Sequence, residues 1–389
     1  MTAPLILDIG LVLLAAAGGG WLARRVGLPA VVGYLGVGLI VSPFTPGYVA
    51  DRDQIYLLAD VGVALLLFEV GIEIDIDRLR TEQRALLAVV PLQVAITLAV
   101  SVVALMWAGL SPAAAGLVGL GVSSSSSVVM VNITRSKRRT TDRPTERAMV
   151  GWSIVQDIAV VVVSVVLFGL IGLNDRDPVL ALVEFAAYVV VAVVVAWLLP
   201  RVLKQLRGDS DLFLIVSVAT ALSVAALGDF VFGVPLALAA FVAGLVISEG
   251  PTTSEARRRL LPFRDLFAVL FFVAVGSLID PNALLGALPA LTLIVALVVI
   301  AKVAVSYVLA RAARLPRPGQ LAVGLGQVGE FSFVIVSVGV AADVVPLDWF
   351  AALLGAVVLT IAASAVIARL VGPRTPAAAA APAATAAGL

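Results

Sequence analysis

A chain of 389 residues that is 61% hydrophobic and only 13% charged, with a mean hydropathy of +1.13, falls far below the roughly 25% charged residues of a soluble domain and reads as an integral membrane protein. Its 26 basic and 25 acidic residues leave a net charge of +1, which offers nothing to nucleic acid or to a strongly acidic partner. Cysteine and histidine are both absent, so disulfides, thiol catalysis and cysteine metal sites are excluded. Proton chemistry near neutral pH falls to carboxylates or to a lysine whose titration burial has shifted, and no cofactor is indicated.

A membrane-crossing helix needs about 20 apolar residues, with a range of roughly 17–25. In chain order the sequence predicts spans at 5–22, 28–43, 55–73, 85–108, 112–133, 149–173, 179–200, 211–228, 233–249, 262–279, 284–311, 319–342 and 347–371. The first has its basic residues, Arg24 and Arg25, after the apolar run. A cleaved signal carries positive charge first, so 5–22 reads as a retained span. All but three Lys and Arg residues fall at the ends of spans 1, 3, 5, 7, 9, 11 and 13; the exceptions are Arg52, Arg176 and Lys302. Basic loops mark the cytoplasmic side, which puts the N-terminus outside and the C-terminus inside a cell membrane. The basic loop Arg135–Arg147 reads as a solvated cytoplasmic segment against anionic lipid. Residues 374–389, mostly Ala and Pro, read as a disordered tail.

Four features then converge on one depth. Asp157, in span 6, is a carboxylate inside a membrane span, which is a functional-site hypothesis by default. Counting at 1.5 Å per residue puts it roughly 12 Å from the cytoplasmic edge of its span, Lys302 in span 11 roughly 13 Å, Glu330 in span 12 roughly 16 Å, and the serine run Ser123–Ser127 in span 5 roughly 9–15 Å. Span 5 reads Gly116, Gly119 and Gly121 followed by five serines, and span 12 carries Gly324, Gly326 and Gly329. Both compositions disfavour continuous helix, and unwound backbone at membrane depth survives only where protein or water covers it. Spans 5 and 12 run antiparallel, and paired interrupted helices in inverted halves point to a transporter's substrate site. The glycines of span 12 spell G-x-G-x-x-G, but the strand and βαβ context of dinucleotide binding are absent.

Around Asp157, Gln156 points about 100° away on an ideal helix and is a candidate either for the cation site or for bonding a broken helix. Ser153, one turn earlier on the same face, is a candidate hydroxyl ligand. Ser124, Ser125 and Ser126 are candidates to line the cation site, against the plainer reading of close packing by small residues. Lys302 is the intramembrane cation, a counter-ion for Asp157 or for broken-helix carbonyls, or a proton carrier. Glu330 either bridges helices or titrates, and Glu69 and Glu73 sit where they could line an inner funnel.

The segments Leu28-Pro29 with Gly33-Tyr34, Phe68 to Glu73, Val155-Gln156-Asp157, Phe241 to Gly244 with Ser248-Glu249, Phe263 to Phe267, and Gly329-Glu330-Phe331, taken in order, resemble the Kef-type branch of the second family of monovalent cation:proton antiporters. The resemblance covers nearly the whole membrane region, residues 1–373. It implies an all-α fold of about 13 helices in inverted repeats with two crossing broken helices, as in sodium/proton antiporters. It also implies a homodimer, with a moving core at about 85–173 and 284–371 and dimerisation helices at about 5–73 and 179–279. Asp157 would bind cation and proton alternately, and the Gln156-Asp157 pair looks like the potassium-efflux members. Many Kef-type proteins continue into a cytoplasmic nucleotide-binding domain, so the resemblance does not extend to nucleotide or glutathione control.

The expected activity is therefore secondary antiport of K+, or alternatively Na+, against protons across the lipid bilayer, rather than enzymatic chemistry. A cation channel or uniporter on the same scaffold and a transporter of organic anions with crossed broken helices are the alternatives. An intramembrane hydrolase would have only Asp157 with Glu330, or a serine with Lys302, to work with.

Overall fold

The computed structural model describes residues 3–42, 84–126, 141–171, 178–206, 209–247, 266–278, 281–329 and 331–371, together with positions 62, 64, 67, 68, 71 and 130. Every regular element among them is helical. In chain order they are α1 (Ala3–Arg25), α2 (Ala30–Ile40), α3 (Arg84–Trp107), α4 (Pro112–Ser123), α5 (Arg143–Ile171), α6 (Pro178–Gln205), α7 (Ser210–Phe232), α8 (Leu236–Ile247), α9 (Leu266–Ser277), α10 (Pro281–Gly286), α11 (Leu288–Leu297), a π-helical segment (Val298–Val303), α12 (Ala304–Ala312), α13 (Pro318–Gly324), α14 (Phe331–Ala341) and α15 (Leu347–Val371).

Seven stretches among the described residues are long and apolar enough to cross a membrane, and four shorter apolar helices accompany them. Each lies on one of the predicted spans. The predicted span at 55–73 falls mostly outside the described residues, as do Glu69 and Glu73. The chain is a multi-pass membrane protein, and its outer face bears this out chemically. Leu14, Val183, Val190, Ile215, Ile300 and Val308 are exposed, and so are the aromatics Trp21, Trp107, Trp197 and Phe230 near helix ends, where amphipathic rings suit the membrane–water interface.

The helix ends follow from local chemistry. Ser111 caps α4 by accepting the Ala114 N–H at 3.2 Å, with Pro112 at the first helical position, where its missing N–H costs nothing. Asp209 caps α7 by accepting the Leu212 N–H at 3.2 Å. That helix stops at Gly233, whose left-handed φ of 63° carries no Cβ penalty.

The packing follows from a few contacts. The α4 helix lies against α3, α5 and α14, while α15 packs on α11, α13 and α14; α12 meets α13, and the π segment touches α3, α4 and α13. Elsewhere α6, α7 and α8 pack on one another, and α1 packs on α2. Between these sets α5 packs on α6, α15 on α2, and Phe241 of α8 meets Phe331 of α14 edge to face at 5.4 Å.

Asp142 and Arg317 tie the starts of α5 and α13 together. Asp142 accepts the Thr145 N–H at 2.8 Å at the start of α5 and accepts a charge-assisted bond from Arg317 Nε, the residue that precedes α13 with φ 43°. Partial burial pushes the Asp142 carboxyl up, but the Thr145 amide and the Arg317 guanidinium outweigh it and hold it below its ordinary value. A carboxyl depressed by folding stabilises the fold above its unfolded pKa and loses that contribution as pH falls through the folded one. Asp142→Asn is expected to lower the detergent melting temperature slightly at neutral pH, in keeping with the ~0.2–1 kcal/mol of an exposed pair. The gap to wild type should close in acid below the usual carboxylate range. A gap that persists there would show that the ion pair is not its source.

Candidate functional site

Span 5 is broken at its serines. The α4 helix ends at Ser123, and Ser124 is extended, with φ −81° and ψ 148°; Met130, whose N–H donates to Ser126 O at 3.2 Å, is helical again. Span 12 is broken at its glycines, with α13 ending at Gly324 and α14 beginning at Phe331. The two breaks cross and bond each other directly. Gly329 N–H donates to Ser124 O at 3.1 Å, and Ser125 Oγ donates to Leu325 O at 2.8 Å. The Gln327 side-chain amide pairs with the backbone of Ser126, accepting its N–H at 2.9 Å and donating to its carbonyl at 3.1 Å. These bonds replace the helical ones lost at each break, so the unwound backbone is satisfied inside protein, as the membrane interior demands. The crossing is too close for a side chain at Gly329, where a Cβ would lie 2.6 Å from the Ser125 carbonyl carbon.

Two helices brace the crossing from outside. From α15, Thr360 Oγ1 accepts the Val328 N–H at 3.1 Å, and Ser364 Oγ lies 2.9 Å from Val323 O and 3.1 Å from Gly324 O, donating to the carbonyl end of α13. From the π segment, Lys302 is fully buried and its Nζ donates to Ser124 O and to Gln327 O at 2.6 Å. An ammonium set on carbonyls that follow the C-terminal ends of α4 and α13 complements the negative end of each helix dipole.

Asp157 lies fourteen residues from either end of the 29-residue α5. The helix begins at Arg143, six residues before the predicted start of the span, because Asp142 caps it, so Asp157 is roughly 21 Å from the helix N-terminus, the added turns carrying the charged residues Arg143, Glu146 and Arg147. Its side chain is 1% exposed and interacts electrostatically with Lys302. The α5 helix packs against α4, α13 and α14, which brings the carboxylate to the helices that carry the two breaks.

The neighbours of Asp157 divide into two kinds. Gln156 is buried, and its Nε2 donates to Ser123 O at 2.8 Å and to Gln93 Oε1 at 2.7 Å, so it does bond a broken helix. Its Oε1 and the Ser153 hydroxyl are buried without a hydrogen-bond partner among the described residues. The serine run, by contrast, is committed to backbone: Ser123 Oγ donates to Gly119 O and Ser124 Oγ to Gly121 O, both at 3.0 Å, and Ser125 to the other break. Their hydroxyl oxygens keep lone pairs for a cation, but Ser123 and Ser124 first close the last turn of α4 and Ser125 holds the crossing. Glu330 and Ser127 lie outside the described residues.

Gln93, Thr97, Gln327, Thr360 and Ser364 were not among the residues that the sequence marked out. Gln93 is a polar residue well inside an apolar span, a signal that was open to view. Gln327 was hidden by the glycines around it, and the α15 hydroxyls by ordinary helical composition.

Two crossed, interrupted helices with a buried carboxylate on a neighbouring helix are the arrangement expected where a membrane transporter holds its substrate. The family described as sodium/hydrogen exchanger, transmembrane, matches residues 11–371, and the chain belongs to that family. An Escherichia coli (strain K12) relative named "Putative cation/proton antiporter YbaL" is 32% identical over 364 residues, covering 88% of this chain and 64% of its own length. The chain thus spans somewhat under two thirds of that relative. The fold is also similar to that of the sodium proton antiporter MjNhaP1 from Methanocaldococcus jannaschii at pH 8, with a TM-score of 0.74 over 94% of this chain and 98% of the other, at 18% identity.

Proposed function

We propose that the chain is a secondary antiporter that exchanges a monovalent cation, K+ in preference to Na+, for protons at Asp157. The observation that carries this reading is the position of Asp157: buried at the midpoint of a membrane-crossing helix, next in sequence to Gln156, which bonds the broken span 5 at Ser123 O, and within the electrostatic reach of Lys302. A carboxylate there holds a cation through its negative charge. A proton on either oxygen cancels that charge and releases the ion, so exclusive occupancy couples the two fluxes. One carboxylate gives one-for-one, electroneutral exchange as the simplest stoichiometry.

Ser153 Oγ, one turn before Asp157 on the same face, and Gln156 Oε1, on the preceding residue, are buried neutral oxygens without a hydrogen-bond partner among the described residues, and with them the site suits a weakly hydrated monovalent ion. The preference for K+ rests on the Gln156-Asp157 pair and its Kef-type resemblance. The helices from α3 to α5 and from α11 to α15 form the mobile core, and α1, α2 and α6 to α9 the scaffold through which two copies pair in the cell membrane. Rigid-body movement of the core against the scaffold carries the site between the two faces.

Purified protein in sealed liposomes loaded with a pH dye tests this. Adding K+ outside is expected to make the interior more alkaline, and Na+ to do so more weakly. Proton movement driven by Na+ alone would overturn the K+ assignment, and proton movement driven by neither ion would overturn antiport.

A further inference from the structure

A chain of buried side chains runs from the π-helical segment to Gln156. Thr97 Oγ1 lies 3.4 Å from Ala301 O, and a carbonyl only accepts, so the hydroxyl proton is spent there. Thr97 Oγ1 then accepts from Gln93 Nε2 at 3.0 Å, which turns Gln93 Oε1 the other way. That oxygen accepts from Gln156 Nε2 at 2.7 Å, and the donor-only indole of Trp152 reaches it at 3.5 Å. Gln93, Thr97, Trp152 and Gln156 are all fully buried. The Ser123 carbonyl imposes the same direction on Gln156 from the opposite side. Every amide orientation in the chain is therefore fixed by a group that cannot reverse its role, and the product is a Gln156 whose NH2 is used up while Oε1 is a buried acceptor without a hydrogen-bond partner among the described residues.

We propose that Gln93 is a positioning residue for cation binding: with Thr97 it locks the Gln156 amide so that its NH2 is held by Gln93 and Ser123 and its oxygen, not its NH2, is left for a cation bound at the adjoining Asp157. The alternative amide orientation would offer NH2 to the site, and a donor repels the ion that an acceptor binds. The Ala301 end of the chain is on the residue preceding Lys302, in a π turn, where wider hydrogen-bond spacing is often found at functional sites. The lock thus joins the helix that supplies Lys302 to the helix that supplies Asp157. This inference rests on the reading of Asp157 as the cation site, and it goes further in assigning a role to residues two helices away.

The test uses the full chain in liposomes and measures the half-saturating K+ concentration and the maximal exchange rate separately. Gln93→Met keeps the length and removes both polar ends. It is expected to raise the half-saturating concentration roughly five- to tenfold, the scale of one lost hydrogen-bonding arrangement, with the maximal rate within about twofold of wild type. Thr97→Val should move the same parameter in the same direction, and Thr97→Ser, which restores the hydroxyl, should return it. If Gln93→Met fails to fold, as judged by its elution and melting in detergent, the Thr97 pair carries the test. An unchanged half-saturating concentration in the folded variants would overturn the proposal. So would a fall in maximal rate alone, which is the signature of an assembly defect. Wild-type exchange by Asp157→Asn would instead overturn the site reading itself, whatever Gln93 does.

Discussion

Asp157→Asn is expected to abolish cation-driven proton movement, leaving liposomes no more active than protein-free ones. The substitution keeps the size and planar shape of the side chain, so the packing of α5 is preserved, but it removes the group that titrates. A neutral amide neither binds and releases a proton near neutral pH nor supplies the charge that holds a desolvated cation. A second measurement separates lost binding from lost movement. A ligand that binds only the folded state raises its melting temperature by mass action. K+ should therefore stabilise the wild type in detergent and leave Asp157→Asn unaffected. Asp157→Glu keeps the charge but adds a methylene to a fully packed site, and should retain partial exchange with weakened K+ affinity. Full exchange by Asp157→Asn, or K+ stabilisation that survives it, would move the site away from α5.

Lys302→Met is expected to be among the most destabilising substitutions in the chain. The Lys302 ammonium donates to Ser124 O and Gln327 O, one carbonyl from each break, and it is a buried positive charge within the electrostatic reach of Asp157. Methionine fits the volume but leaves both carbonyls without that donor and the local charge unbalanced. Removing one partner of a buried charged arrangement costs about 3–5 kcal/mol, which should appear as a large drop in melting temperature and in the yield of folded protein. Lys302→Arg keeps the charge but not the geometry, because a planar fork does not fit where a compact ammonium bonds two carbonyls. It should recover only part of the loss. A Lys302→Met protein that melts like wild type would show that the crossing holds without its cation. One that melts lower yet exchanges at the wild-type rate would assign Lys302 to structure alone.

The parts of the site that could be read in the sequence are those whose chemistry is costly wherever it occurs. A carboxylate and an ammonium in otherwise apolar spans stand out because charge in hydrocarbon is expensive. The glycine and serine clusters stand out because they disfavour helix at a depth where helix is otherwise obligatory. Asp157, Lys302 and the breaks in spans 5 and 12 all belong to this class, and the structure sets Lys302 on a carbonyl of each break. The early start of α5 was less visible, because one cap, Asp142, extends the helix by six residues through a stretch that hydropathy reads as loop.

Sequence by itself determined that the chain crosses the membrane repeatedly, that two of its helices are interrupted, and that Asp157 and Lys302 are buried. Those follow from the cost of charge and of unpaired backbone in an apolar medium, which composition records directly. Which groups meet was decided only by the tertiary structure. The Gln327 amide finds Ser126 across 201 residues of chain, Thr97 finds Ala301 across 204, and the serine hydroxyls turn to backbone carbonyls. A hydrogen bond is specified by distance and direction, and no periodicity along the chain encodes either for partners that far apart.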